Sequence, residues 1–72
     1  MENIREKREL VGLSQVALAH QAGVSRFRLQ LAEAGVLELL PEEVFALSKT
    51  LAGRAASLRS ALSAQGLVQA TA

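Results

Sequence analysis

The chain has no cysteine, tryptophan, tyrosine or aspartate, and it has a single histidine, His20. The lack of cysteine excludes a disulfide scaffold, a thiolate metal site and a cysteine nucleophile. One histidine and no aspartate leave the serines without the base and acid of a hydrolase. His20 is interpreted as a surface residue, and no glycine-rich phosphate loop is present. The sequence therefore predicts no enzyme, no metal, no cofactor and no small-molecule substrate.

β-Branched and aromatic residues are also scarce, which argues against a β-sandwich or barrel. Hydrophobic residues make up 50% of the 72 residues, and most of them are Ala or Leu. This composition favours helices packed through Leu and Ala, and it argues against disorder. No apolar run approaches the roughly 18 residues of a membrane span, and no signal-peptide pattern is present. We expect one soluble, cytoplasmic, all-α domain without membrane contact.

The net charge does not indicate whether the chain binds nucleic acid, because eight Lys and Arg residues and seven acidic residues give a formal charge of only +1. The distribution is more informative. The stretch from Leu10 to Ala32 contains Arg26 and Arg28 and no acidic residue. Any anion-binding face must therefore be local.

Capping residues and glycines divide the chain into five short helices and a tail. Asn3, Ser14 and Ser25 are suited to cap the first three helices, and Pro41 suits the first turn of the fourth. Glycines mark the helix ends. The helices are expected from Asn3 to Gly12, Ser14 to Gly23, Ser25 to about Ala34, Pro41 to Gly53, and about Ala55 to Ala64. The domain would then cover residues 1–66, with residues 67–72 as a disordered or dimer-associated tail.

The most specific feature is the stretch from Gln15 to Arg26. A short helix is followed by Gly23, which allows a positive φ, then by an apolar residue and the Ser25 cap. Ala19 is small where two helix axes must approach closely. This pattern predicts a helix-turn-helix, whose second helix lies in the DNA major groove.

Over about residues 3–62, the sequence resembles the Cro and phage-repressor (XRE) type of helix-turn-helix regulator. The resemblance implies a compact five-helix, lambda-repressor-like domain with helices 2 and 3 as the helix-turn-helix. It also implies a transcriptional regulator, most naturally a repressor, that acts as a homodimer on a palindromic operator in double-stranded DNA. The matching residues are Gly12-Leu13-Ser14-Gln15, Leu18-Ala19, Gly23-Val24-Ser25-Arg26, Leu29, Glu33, Gly35, Leu47, Leu51 and Leu58.

The same resemblance implies a set of DNA contacts. The base-reading positions are Arg26, Phe27, Gln30 and Leu31. The phosphate-binding positions are Ser14, Gln15 and Ser25, and Arg28 on the flank of the third helix is interpreted as a further phosphate contact. Simple capping without DNA explains the two serines equally well, whereas Gln15 has no evident core or capping role. The family also pairs an Arg of the first helix with a Glu of the third, here Arg8 and Glu33.

The outer face of the third helix is unusually apolar. With Leu29 set inward, Phe27 lies about 160° away and Leu31 about 200° away, so both point outward. An exposed apolar pair of this kind also fits a protein interface. The alternative is therefore a protein-binding helix-turn-helix module, antitoxin-like or a phage regulator, whose partner covers Phe27 and Leu31.

The segment after Gly35 also departs from the family, because Val36 to Leu40 contains four aliphatic residues and Glu38 where many relatives carry basic residues. We expect these aliphatic side chains to be buried in a locally shifted core. Ala32 is smaller than the usual residue at its position, and Phe45 or Leu37 is expected to fill the space.

Overall fold

The computed structural model describes residues 3–64, which form four α-helices and no strand. The helices are α1 (Ile4–Leu10), α2 (Gln15–Ala22), α3 (Arg26–Glu33) and α4 (Pro41–Ala64). The all-α class is confirmed. The tail predicted over residues 67–72 and the stop predicted at Gly66 lie outside the described residues.

The first three helices begin where the sequence predicted. The side chains of Asn3, Ser14 and Ser25 each accept the backbone N–H three residues later, at 3.0, 3.0 and 3.3 Å. Each bond pairs one of the N–H groups that a helix N-terminus leaves without an intrahelical partner. The short helices are therefore fixed at their N-termini by local side-chain chemistry.

The prediction of five helices is wrong, because the fourth and fifth helices form one continuous helix within residues 3–64. α4 runs for 24 residues straight through Gly53. A glycine inside a helix costs only about 1 kcal/mol relative to alanine and keeps its backbone N–H. Packing on both sides outweighs that cost: Leu51 is buried in the core before Gly53, and Arg54 Nε donates to Val11 O at 3.2 Å after it.

The core lies where α2, α3 and α4 meet. Leu18, Leu29 and Leu47, one from each of these helices, have no exposed surface. α2 packs against both α3 and α4, and α1 packs on α4. Further buried residues complete this cluster: Ile4, Leu13, Ala19 and Leu51. Because α3 is tied to the core through Leu29, its opposite face is left towards solvent.

The segment between α3 and α4 is buried only in part, so the expected burial of Val36 to Leu40 is largely wrong. Leu39 packs against the core, whereas Val36 and Leu40 are exposed. Phe45 is exposed as well and does not fill the space beside Ala32. An open cleft of about 280 Å³ remains there, bordered by Ala32 and Leu39.

Candidate nucleic-acid interface

The turn between α2 and α3 has the geometry that a helix-turn-helix requires. Gly23 adopts a left-handed conformation, with φ 71° and ψ 29°. The N–H of Val24 donates to Ala19 O at 3.0 Å and closes the end of α2. Ala19 is buried where the helices approach. After this turn Ser25 caps α3 at once, so α3 begins at a fixed angle to α2.

The outer face of α3 carries the side chains predicted to read bases. Arg26, Phe27 and Gln30 are exposed, and Leu31 is half-buried. Phe27 is 68% exposed. The predicted outward direction is thus confirmed fully for Phe27 and partly for Leu31. The face combines one cation, one amide and two apolar groups.

The predicted phosphate-binding serines are occupied as helix caps. The Ser14 and Ser25 hydroxyls accept the N–H groups of Ala17 and Arg28. A serine hydroxyl that accepts a hydrogen bond still has its own proton to donate. Capping and phosphate binding are therefore compatible at both positions.

Gln15, at the first position of α2, has a structural partner that the sequence did not predict. Its Nε2 donates to Glu33 Oε1 at 2.9 Å, which is a structural role other than core packing or helix capping. The bond uses one of the two N–H groups of the amide. It links the start of α2 to the last residue of α3.

Glu33 is the centre of a buried network. Its carboxylate accepts from Arg8 Nε at 2.9 Å and from Arg8 Nη2 at 3.0 Å, which confirms the pair implied by the family resemblance. Arg8 Nη1 also donates to Leu13 O at 2.8 Å. The side chains of Glu33 and Arg8 are only 4% and 11% exposed. The network therefore joins α1, α2 and α3 behind the exposed face of α3.

The electrostatics of this network favour the charged forms. Burial raises the pKa of Glu33, but hydrogen bonds from Arg8 and Gln15 and the charge of Arg8 lower it, and the resulting pKa lies below the ordinary value. The hydrogen bond to Glu33 likewise raises the pKa of Arg8. Both groups are ionised at neutral pH.

Arg28, predicted to contact phosphate, is paired with Glu43 at the start of α4. Its Nε and Nη2 donate to the two carboxylate oxygens of Glu43 at 2.7 and 2.8 Å. Glu43 Oε1 also accepts the N–H of Leu40 at 2.8 Å. The hydrogen bond from Arg28 is the main reason why the pKa of Glu43 falls to about 2.

Sequence reasoning did not single out Glu43 as part of the site. The available signal was its position, the third residue of a helix that begins at Pro41, where a glutamate often reaches back to the N-cap N–H. That signal predicts the bond to Leu40 but not the bond to Arg28.

Residues 3–64 contain neither a cluster of metal ligands nor a membrane-spanning helix. That part of the chain contains no group of three His or Glu residues placed to hold a metal ion. None of its helices has the length and apolar character needed to cross a membrane.

Comparison with known proteins agrees with the geometry of the turn. A family model described as helix-turn-helix matches residues 4–56, which span α1, α2, α3 and the first part of α4. Neither a curated protein nor a solved structure matches the chain.

Proposed function

The chain belongs to the Cro-type (XRE) helix-turn-helix family of DNA-binding regulator domains, and we propose that it is a sequence-specific repressor. In this proposal it binds a palindromic operator as a homodimer and places α3 in the major groove. The observation that carries the proposal is the capped, left-handed turn at Gly23, which presents the outer face of α3 on a rigid support.

The base contacts follow from the chemistry of that face. Arg26 is suited to a bidentate contact with guanine O6 and N7, and Gln30 to a bidentate contact with adenine. Phe27 and Leu31 offer only apolar contact, which fits the methyl group of thymine. A half-site read by these four residues would combine guanine, adenine and thymine positions.

The phosphate contacts would fix the register of α3 without reading the sequence. We assign them to Ser14 and Gln15 at the start of α2, and to Ser25 and Arg28 at the start of α3. Helix N-termini also favour anions, because their free N–H groups carry partial positive charge. All four positions lie within or next to a first turn.

A homodimer is part of the proposal, because one short recognition helix reads too few base pairs for a specific operator. An apolar groove between α1 and α4 supports it, since an exposed apolar patch on a small domain usually marks an interaction site. Leu10, in this groove, is 79% exposed. The other apolar residues of the groove are Val11, Leu51, Ala52 and Ala55.

The dimer is tested by sedimentation. Leu10→Lys should lower the dimer fraction, because it places a charge in the groove. Phe45→Lys is the matched control, since Phe45 is equally apolar and exposed but lies beside Gln21 and Ala22. Equal effects of the two substitutions would contradict this assignment of the interface.

The DNA-binding proposal is tested by fluorescence anisotropy with a labelled mixed-sequence duplex at about 50 and 200 mM salt. An affinity that falls by about tenfold would correspond to about two neutralised phosphates, and a steeper fall to more. Operator selection from random DNA would follow. Arg26→Ala should then relax base preference at one position, whereas Arg28→Ala should weaken all duplexes alike. The charge-matched control is Arg59→Ala, on the second half of α4.

A second candidate function rests on the exposure of Phe27. In that case the chain is a protein-binding module, antitoxin-like or a phage regulator, and a protein partner covers Phe27 and Leu31. Little DNA binding at either salt concentration would favour this candidate. The two functions can also be combined in one protein, with α3 as the shared face.

A further inference from the structure

We infer that Glu43 is a positioning residue for DNA binding, which holds the Arg28 guanidinium so that its free edge meets a backbone phosphate. The inference rests on the proposed DNA-binding function. It adds Glu43, a residue of α4 outside the helix-turn-helix, to the residues that determine the affinity for DNA.

The hydrogen bonds leave Arg28 able to bind a second anion. A guanidinium has five N–H donors arranged in a planar fork. Glu43 takes the Nε donor and one donor of Nη2. The remaining donors, two on Nη1 and one on Nη2, lie along the end of the fork. That edge matches the spacing of two phosphate oxygens.

The side chains of Arg28 and Glu43 differ in how far they are exposed to solvent. The Arg28 side chain is 35% exposed and that of Glu43 is 13% exposed. The Glu43 side chain is therefore the more covered of the two, and more of the Arg28 side chain is open to an anion from solvent. Glu43 thus acts as a support behind Arg28.

Glu43 is itself held by the backbone just before α4. One carboxylate oxygen accepts the N–H of Leu40, the residue before Pro41, at 2.8 Å. A long arginine side chain without such a support must lose much rotamer freedom when it binds phosphate. The chain of contacts from Leu40 through Glu43 to Arg28 removes that freedom before DNA arrives.

Glu43 also has an effect that weakens DNA binding, because its negative charge repels the phosphates of the DNA. Glu42 provides the control for this effect. It is the neighbouring acidic residue in the first turn of α4, it is exposed, and within the described residues it makes no side-chain hydrogen bond or ion pair. Glu42→Gln removes the same charge without touching Arg28.

The experiment measures the affinity of the full chain for a duplex that the unmodified protein has selected from random DNA, over a series of salt concentrations. Glu43→Gln should bind about 3- to 10-fold more weakly than Glu42→Gln. Arg28→Ala should lower the affinity and reduce the steepness of log K against log salt by about 0.9, the value for one phosphate. In the Arg28→Ala background, Glu43→Gln and Glu42→Gln should bind equally well, because Glu43 acts through Arg28.

Arg28→Lys covers the case in which Glu43→Gln disturbs the cap of α4. It leaves the bond between Glu43 and Leu40 intact and keeps the positive charge, but an ammonium group lacks the planar fork. It should therefore keep the salt dependence and still bind more weakly than the unmodified protein. Thermal unfolding of each variant checks that it is folded.

Three results would overturn the inference. Tighter binding by Glu43→Gln than by Glu42→Gln, with a steeper salt dependence, would show that Glu43 competes with DNA for Arg28. Equal affinities of the Arg28→Lys variant and the unmodified protein would show that the planar guanidinium of Arg28 is not needed for binding. Equal effects of Arg28→Ala and the control Arg59→Ala would show that Arg28 does not contact a phosphate. Absence of DNA binding by the unmodified protein would instead refute the proposed function itself.

Discussion

Replacement of Arg8 by methionine tests whether the network around Glu33 holds the fold together. Methionine keeps much of the aliphatic volume of the Arg8 side chain but removes its charge. The Glu33 carboxylate, 4% exposed, then retains only the bond from Gln15, and the Leu13 carbonyl loses its donor. Breaking a buried pair by removing one partner costs about 3–5 kcal/mol.

That cost is large beside the stability of the whole domain. At about 0.05–0.15 kcal/mol per residue, a chain of 72 residues has a free energy of unfolding of roughly 4–11 kcal/mol. If the free energy of unfolding lies at the lower end of that range, Arg8→Met should leave the protein close to its unfolding midpoint at 25 °C; at the upper end, the substitution should remove about a quarter to a half of that free energy. Urea denaturation followed by circular dichroism at 222 nm measures the difference.

The pH dependence of this difference is a second, sharper part of the prediction. In the unmodified protein the pKa of Glu33 lies below its ordinary value of 4.5. The stabilisation by the pair is therefore complete above about pH 4.5 and is lost as the pH falls through the folded value. In Arg8→Met burial remains and two hydrogen bonds are gone, so we expect the pKa of Glu33 to rise above 4.5. The cost of the substitution should then be greatest at neutral pH and should shrink below about pH 5.

Arg5→Met is the matched control, because Arg5 makes an exposed helical pair with Glu9 at 3.4 Å and no hydrogen bond to Glu33, on whose pKa its charge has the smallest of the effects. Such a pair contributes about 0.3–0.5 kcal/mol. The double variant Arg8→Met/Glu33→Leu should recover much of the lost stability, since no buried charge remains unpaired. The reasoning would be refuted by a cost below about 1 kcal/mol for Arg8→Met, or by additive effects of the two single substitutions.

Three further predictions concern the turn at Gly23, helix α3 and the start of α4. Gly23→Ala should destabilise the fold by about 1 kcal/mol or more, whereas Gly53→Ala, within a helix and with open space around it, should stabilise it by about 0.5–1 kcal/mol. Leu29→Ala should cost about 2–5 kcal/mol, whereas Phe27→Ala should change the free energy of unfolding by less than about 1 kcal/mol, because Phe27 is mostly exposed. The folded pKa of Glu43, about 2, lies below its ordinary value, so its stabilising effect should be lost between about pH 4.5 and 2, and Glu43→Gln should flatten that part of the melting-temperature curve. Urea and thermal denaturation measure all three, and equal signs for the two glycine substitutions would contradict the helical conformation of Gly53.

The features that sequence reasoning predicted well depend on local chemistry. The N-caps at Asn3, Ser14 and Ser25 need only a polar side chain three residues before a free N–H. The turn at Gly23 needs one residue that tolerates positive φ. These requirements involve residues only a few positions apart, so the local amino-acid sequence is enough to predict the caps and the turn.

The features that it missed depend on how the helices pack. The sequence predicts a helix end at Gly53 because glycine has a low helix propensity. The burial of Leu51 and the hydrogen bond from Arg54 to Val11 instead stabilise a helix that continues through Gly53. The partners of Gln15 and Arg28 lie 18 and 15 residues away in the sequence. Nothing near either residue specifies those contacts, which exist only once α2, α3 and α4 are in place.

The ion pairs of Arg5, Arg8 and Arg28 have a consequence for how the protein would find its site. Each of these cations already faces a carboxylate, of Glu9, Glu33 or Glu43, and the formal net charge is only +1. Attraction to DNA of arbitrary sequence comes almost entirely from counterions released as cations neutralise phosphates, so on the face of α3 it would come from Arg26 and from the outer edge of the Arg28 guanidinium. We therefore expect binding to random DNA that is measurable at about 50 mM salt but short-lived at about 200 mM salt, with little sliding there. The search for an operator would proceed mainly through free diffusion, and the lifetime of the final complex would depend on the base contacts of α3.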